Sequence, residues 1–122
     1  MTRTPISELR EQVRAGAIGA DEALRQVELL LRAGSTADLL IARAHFIQLG
    51  DGHGYELDDA RESYEQAYRL DPENPGPLIE LGHFFYAVMS DELTAEMYFR
   101  RALELGGGEE CHRMLDSISL AG

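Results

Sequence analysis

A chain of 122 residues with 44% hydrophobic and 27% charged residues is long enough for one globular domain with a modest core and too short for two. Its net charge of -11 arises from 22 acidic residues against 11 basic ones, all arginine, and such an acidic chain is repelled by nucleic acids and anionic membranes. The sequence contains no lysine, which excludes Schiff-base chemistry and P-loop phosphate binding because both require an ammonium group.

The first segment carries the signals of two helices. Thr4 is a hydroxyl N-cap candidate and is followed by proline, which favours the first helical position. Further along, "DEALRQVELLLRAG" places Ala23, Val27 and Leu30 on one helix face, because residues four and seven apart share a face. We therefore predict a degenerate helical hairpin over residues 5–34.

The middle segment repeats this arrangement. A second hydroxyl cap, offered by Ser35-Thr36, precedes the apolar run "ADLLIARAHFIQLG". In "LDDARESYEQAYRLDP" the side chains of Ala60, Tyr64 and Ala67 alternate small, large and small on one helix face. Such a face accepts a neighbouring helix at close range, and we predict a second hairpin over residues 35–72.

The third copy begins at "NPGP", which precedes the helical run "LIELGHFFYAVM". Its second helix, in "TAEMYFRRALELG", again spaces a small, an aromatic and a small residue four and seven apart: Ala95, Phe99 and Ala102. The copies start at intervals close to the roughly 34-residue period of helix-turn-helix repeats. A third hairpin is predicted over residues 74–106.

A final helix is predicted after the breaker "GGG" at residues 106–108. The segment "EECHRMLDSISL" places Cys111, Leu115 and Ile118 on one face. We expect this helix, over residues 108–120, to cap the open end of the stack. The count of predicted helices is therefore seven.

These residues resemble the tetratricopeptide repeat (TPR) family. The last hairpin carries the best match, with Leu78, Leu81, Gly82 and Phe85 at the family's places on its first helix and leucine in place of the usual tryptophan. The resemblance implies an all-α superhelix of three helical hairpins plus a capping helix, folded as one domain over residues 1–122. In the middle copy two registers of the first helix remain open.

The resemblance also implies a role in binding rather than catalysis, because stacked repeats of this kind form a concave groove for a segment of another protein. In the middle copy the groove residues are Leu40, Ala44 and Ile47 in one register, or Leu39, Arg43 and Phe46 in the other. The predicted groove is lined by Leu40, Arg43, Ile47, Ile79, His83 and Tyr86.

The expected occupant of this groove is an amphipathic or basic segment of a partner protein, because the groove is apolar and the body is acidic. A subset of the family grips the C-terminal carboxylate of chaperone tails with lysine and asparagine; here Ile79 and His83 stand at those places, which excludes that ligand. In size and charge the chain is similar to small acidic three-repeat chaperones of bacterial secretion systems. The alternative is a self-associating structural protein whose apolar surface forms a homodimer.

No metal or cofactor site is expected. The candidate zinc ligands His45, His53, His83, Cys111 and His112 lack chelating spacing, and the last two are adjacent, so they splay apart on a helix. The same geometry argues against a thiol nucleophile, and we expect no enzymatic activity.

The acidic turn "DGHGYELDD" offers oxygen ligands in the wrong pattern for calcium, since histidine and tyrosine occupy alternating ligand positions. We expect an enlarged turn in which Asp58 caps the following helix. The single cysteine cannot form an internal disulfide, and no apolar run is long enough to cross a bilayer. We therefore expect a cytoplasmic protein.

Overall fold

The computed structural model describes residues 4–50 and 54–121, and in these ranges the chain forms seven α-helices and no β-strand. The predicted number of helices is confirmed. The helices are α1 (Pro5–Arg14), α2 (Ala20–Ala33), α3 (Ala37–Leu49), α4 (Leu57–Leu70), α5 (Pro75–His83), α6 (Glu92–Glu104) and α7 (Glu109–Ala121), and α5 continues into a π-helical segment (Phe84–Val88).

Local capping explains where most of the helices begin. The Thr4 hydroxyl accepts a hydrogen bond from the Ser7 amide at 3.1 Å. The Thr36 hydroxyl accepts one from the Leu39 amide, also at 3.1 Å. At the start of α5, the Asn74 side chain accepts from the Gly76 amide at 2.9 Å. The predicted caps at Thr4 and at Ser35-Thr36 are thereby confirmed, the second of them at Thr36, and α5 begins within "NPGP" as predicted.

The start of α4 differs from the prediction. The carboxylate of Asp59, rather than that of Asp58, reaches back to accept a hydrogen bond from the Glu56 amide at 2.8 Å. This is the backward half of a capping box, with the acid at the third helical position. Asp58 instead lies within the first turn and pairs with Arg61 at 2.7 Å. The expectation that Asp58 caps the helix was therefore wrong.

Asp91 caps α6 and gives this helix a dependence on pH. Its carboxylate accepts hydrogen bonds from the Thr94 hydroxyl at 2.7 Å and the Thr94 amide at 3.1 Å. The hydroxyl bond first, and then the amide bond, lower the pKa of Asp91 below its ordinary value of 3.8. A lowered folded-state pKa stabilises the fold above the unfolded value, and this stabilisation is lost as pH falls through the folded value.

We expect Asp91→Asn to remove this pH dependence while keeping a capping side chain. The measurement is the free energy of unfolding by chemical denaturation, from neutral pH down to about pH 2.5. The wild type should exceed the variant by more at neutral pH than at the acidic end. A difference that stays constant across the whole range would contradict this role.

The chain divides into two compact units, Met1–Ala67 and Tyr68–Gly122. In the first unit, α1 packs on α2, and α3 packs on both. Helix α4 is joined to α3 by a hydrogen bond from the Gln48 side chain to the Tyr64 hydroxyl, at 2.8 Å. The predicted packing stripe of α4 is buried: Ala60 and Ala67 are inaccessible to solvent and Tyr64 is almost so.

In the second unit, α5 packs on α6 and α6 packs on α7. The C-terminal core consists of Leu78, Ala95, Phe99, Ala102, Cys111 and Ile118. Leu115 is half-buried against this core, so α7 presents its predicted face to α6. Helix α6 ends in the glycine run, where Gly106 and Gly108 adopt positive φ angles of 90° and 76° that other residues rarely adopt.

Candidate partner-binding surface

The C-terminal unit carries three of the six predicted groove residues. Ile79 and His83 lie one turn apart on α5, and Tyr86 lies in the π-helical segment that follows. All three side chains are half-buried, and those of Ile79 and Tyr86 pack against the C-terminal core. Each side chain is therefore held in place by the core and still has part of its surface accessible.

His83 connects α5 to the last helix. Its Nε2 atom lies 2.7 Å from a carboxylate oxygen of Glu110, near the start of α7. Its ring meets the ring of Phe99 edge-on, with centroids 5.1 Å apart and an angle of 79° between the planes. Because a carboxylate of the chain itself occupies this imidazole nitrogen, His83 is not available there as a receptor for a carboxylate of a partner.

The middle-copy residues are placed differently from the prediction. Leu40 and Ile47 are each only 5% exposed, so their side chains belong to the protein core. The other register also places buried residues at the groove positions, because Leu39 and Phe46 are buried as well. Helix α3 is not amphipathic, because its apolar residues are spread around the helix, and six of its residues are buried instead of forming one open stripe. This helix therefore contributes no open apolar stripe of its own.

Arg43, the remaining predicted groove residue, joins three helices of the N-terminal unit. Its guanidinium pairs with the carboxylate of Glu28 on α2 and donates to the Ser63 hydroxyl on α4. A longer hydrogen bond, at 3.4 Å, reaches the Asp59 carbonyl oxygen. The same group lies over the ring of Tyr55, 5.4 Å from its centroid. These contacts make Arg43 a cross-link within the fold.

The π-helical segment was not predicted from the sequence. The Met89 amide donates to the Phe84 carbonyl at 3.2 Å, five residues back, so the side chains follow a different register from that of an α-helix. Phe84 is buried, and Phe85 stacks on Tyr98 with ring centroids 5.6 Å apart. Tyr86, in the same segment, is half-buried against the C-terminal core.

No group of three or more histidine, cysteine, aspartate or glutamate residues suited to a metal occurs within 4–50 and 54–121. His45 Nδ1 accepts a hydrogen bond from the Arg10 guanidinium at 2.8 Å, while His53 and Asp51 lie outside the described residues. Cys111 is fully buried and His112 is exposed, so the two side chains point apart. Burial, and then the charge of Glu110, raise the pKa of the Cys111 thiol, which keeps it protonated at neutral pH.

No protein-family model matches the sequence, and no curated protein matches it. A solved structure does: the crystal structure of SycD, the type III secretion translocator chaperone of Yersinia enterocolitica, described as an alternative dimer. The TM-score is 0.76 at 18% sequence identity, and the match covers 96% of this chain and 90% of that chain. The chain has a fold similar to that of SycD. The all-α fold class is thereby confirmed.

Within the described residues, no helix is both long enough and apolar enough to cross a bilayer.

Proposed function

We propose that this protein is a non-enzymatic chaperone or adaptor of the TPR type, which holds a segment of a partner protein against the half-buried residues of α5 and the π-helical segment. The observation that carries the proposal is the likeness of fold to a secretion chaperone over 96% of the chain. Fold alone does not define function, so the proposal also requires a surface suited to a protein ligand.

Burial in the last hairpin supports the TPR assignment. Leu78 and Leu81, at the family's places on α5, are each 1% exposed. Gly82, at the family's small-residue place, lies where an added Cβ atom would come within 2.7 Å of the Phe99 ring. The absence of a side chain at Gly82 therefore allows α5 and α6 to approach closely, as the resemblance to the family implies.

Charge supports a basic or amphipathic partner segment. Residues 68–122 contain ten acidic side chains and four arginines, so the unit that carries Ile79 and Tyr86 is acidic. An apolar contact surrounded by negative charge favours ligands that combine an apolar face with lysine or arginine at its edge. We place the apolar face of the partner against Ile79 and Tyr86.

Tyr86→Ala is expected to weaken partner binding about tenfold and leave the protein folded, because a half-exposed aromatic residue is the type of side chain that dominates binding energies. The ligands are peptides selected from a random display library on the wild-type protein. Their affinities are measured by fluorescence anisotropy, and folding is followed by circular dichroism.

Tyr86→Phe is the matched control, since it keeps the ring and removes only the hydroxyl; its affinity should stay within about twofold of wild type. Selected peptides should be enriched in apolar residues next to lysine or arginine. Unchanged binding by Tyr86→Ala would contradict the proposed site. Unfolding of that variant would instead assign the ring to the core.

A homodimer is the second candidate, and two observations favour it. The similar structure of SycD is described as a dimer, and α6 exposes Leu93 and Met97, at 78% and 67%, one turn apart on its surface. Light scattering across a dilution series distinguishes the candidates. A monomer at every concentration supports the adaptor, whereas a dimer that survives dilution supports self-association.

A further inference from the structure

The N-terminal hairpin contains an open groove between α1 and α2. It encloses about 390 Å³, at the low end of the range for small ligand pockets, which is room for a few aliphatic side chains. Seven residues line it: Pro5, Glu8, Leu9, Gln12, Gln26, Leu29 and Leu30. None of these belongs to the residues used in the proposed function.

The apolar part of this groove is accessible from outside. Leu9 is 4% exposed and forms the floor, whereas Leu29 is 60% exposed and Leu30 is half-buried. Covering Leu29 removes apolar surface from water, which is the main favourable term in most protein association. The groove therefore offers an apolar anchor site of defined shape.

The polar part of the groove has one charge, and it is negative. Glu8 forms no ion pair within the described residues, whereas Glu11 on α1 and Glu22 on α2 are paired with Arg14 and Arg25. The other polar lining residues, Gln12 and Gln26, are neutral. A carboxylate beside an apolar surface matches a ligand that carries a cation beside an apolar stripe.

A helix fits this groove better than an extended peptide. An extended peptide binds through main-chain hydrogen bonds to an open sheet edge, and the backbone groups of α1 and α2 are already paired within their helices. A helix pairs its own backbone groups and docks through side chains at i, i+3, i+4 and i+7. It therefore requires only the apolar and charged contacts that the groove provides.

We infer that the α1–α2 groove is a second docking site, for an amphipathic helix of a partner protein that carries aliphatic residues on one face and lysine or arginine beside them. A second copy of this chain that pairs its own groove with this one is a poorer occupant. Pairing the groove with itself brings two Glu8 carboxylates together, and no lining residue supplies a cation.

The test uses a designed helical peptide with a leucine stripe flanked by lysines, and a matched peptide with glutamate in place of each lysine. Binding to the isotope-labelled full chain is followed by NMR, which also locates the perturbed amides. The lysine peptide should perturb amides of α1 and α2 and bind at least about tenfold more tightly than the glutamate peptide.

Variants then assign the contacts. Leu29→Ser should weaken the lysine peptide about tenfold, and Glu8→Gln about two- to fivefold. The matched controls are Leu70→Ser, which alters a similarly exposed leucine on α4, and Glu11→Gln, which alters an acid outside the lining. Both controls should bind within about twofold of wild type.

Three results would overturn the inference: no binding at about 1 mM peptide, equal binding of the two peptides, or amide perturbations outside α1 and α2. A dimer that Leu29→Ser dissociates would overturn it in favour of a second copy. The two proposed sites are also distinguishable. Binding lost in Leu29→Ser and kept in Tyr86→Ala supports this groove, and the opposite pattern rejects it.

Discussion

Replacing Phe99 with alanine is expected to lower the free energy of unfolding by about 3–5 kcal/mol. The side chain is fully buried in the C-terminal core, and its ring contacts the edge of His83. Its removal leaves a cavity between α5 and α6, which are already in close contact and cannot fully collapse. The measurement is chemical denaturation followed by circular dichroism, at neutral pH.

Met97→Ala is the control for this experiment. Met97 lies on the same helix but is 67% exposed, so its truncation should change the free energy of unfolding by no more than about 0.5 kcal/mol. A similar loss in both variants would mean that the burial of Phe99 does not govern the stability of this unit.

Gly82→Ala is expected to destabilise the protein by about 1–3 kcal/mol. The opposite sign follows from helix propensity alone, since alanine in a helix interior is favoured over glycine by about 1 kcal/mol. Here the added methyl group would lie 2.7 Å from two carbon atoms of the Phe99 ring, far inside normal contact distance. Relief requires movement of a fully buried ring, so the clash outweighs the gain in propensity.

The measurement is therefore the sign of the change in the free energy of unfolding caused by Gly82→Ala. Two further variants test its cause. Gly34→Ala is the control, because nothing lies within 4 Å of its added Cβ and its φ of 164° is extended backbone. Combining Gly82→Ala with Phe99→Leu should cost less than the sum of the single changes, because the smaller side chain makes room for the methyl group. Additive losses, or a stabilising Gly82→Ala, would contradict the contact.

These two residues also bear on the proposed function. The contact between Gly82 and Phe99 fixes the distance between α5 and α6, and α5 carries Ile79 and His83. A binding surface on a rigid helix keeps its geometry better than one on a loop. We therefore expect substitutions at this contact to weaken partner binding as well as stability.

Much of the secondary structure could be predicted from the sequence because its causes are local. The hydroxyl caps at Thr4 and Thr36 and the glycine stop after α6 act within a few residues of themselves. The packing stripe of Ala95, Phe99 and Ala102 is set by helical spacing, and all three residues are buried. Burial of these stripes follows because apolar residues at this spacing share one face of the helix.

The candidate binding residues could not be predicted as reliably. Leu40 and Ile47 have the spacing of a groove stripe, but the apolar residues of α3 are spread around the helix and both side chains are buried. Arg43 has the sequence appearance of a surface cation, and only packing brings it to Glu28 and Ser63, fifteen and twenty residues away. Spacing along one helix says nothing about which other helices cover it.

The sequence by itself determined the all-α class, the seven helices and the small-large-small stripes, because capping and helical periodicity operate over short distances along the chain. Tertiary structure alone decided which apolar faces stay open, how His83 is paired with Glu110, and that α5 continues into a π-helical segment. These features depend on contacts between residues distant in sequence, whose geometry is set only when the helices pack together.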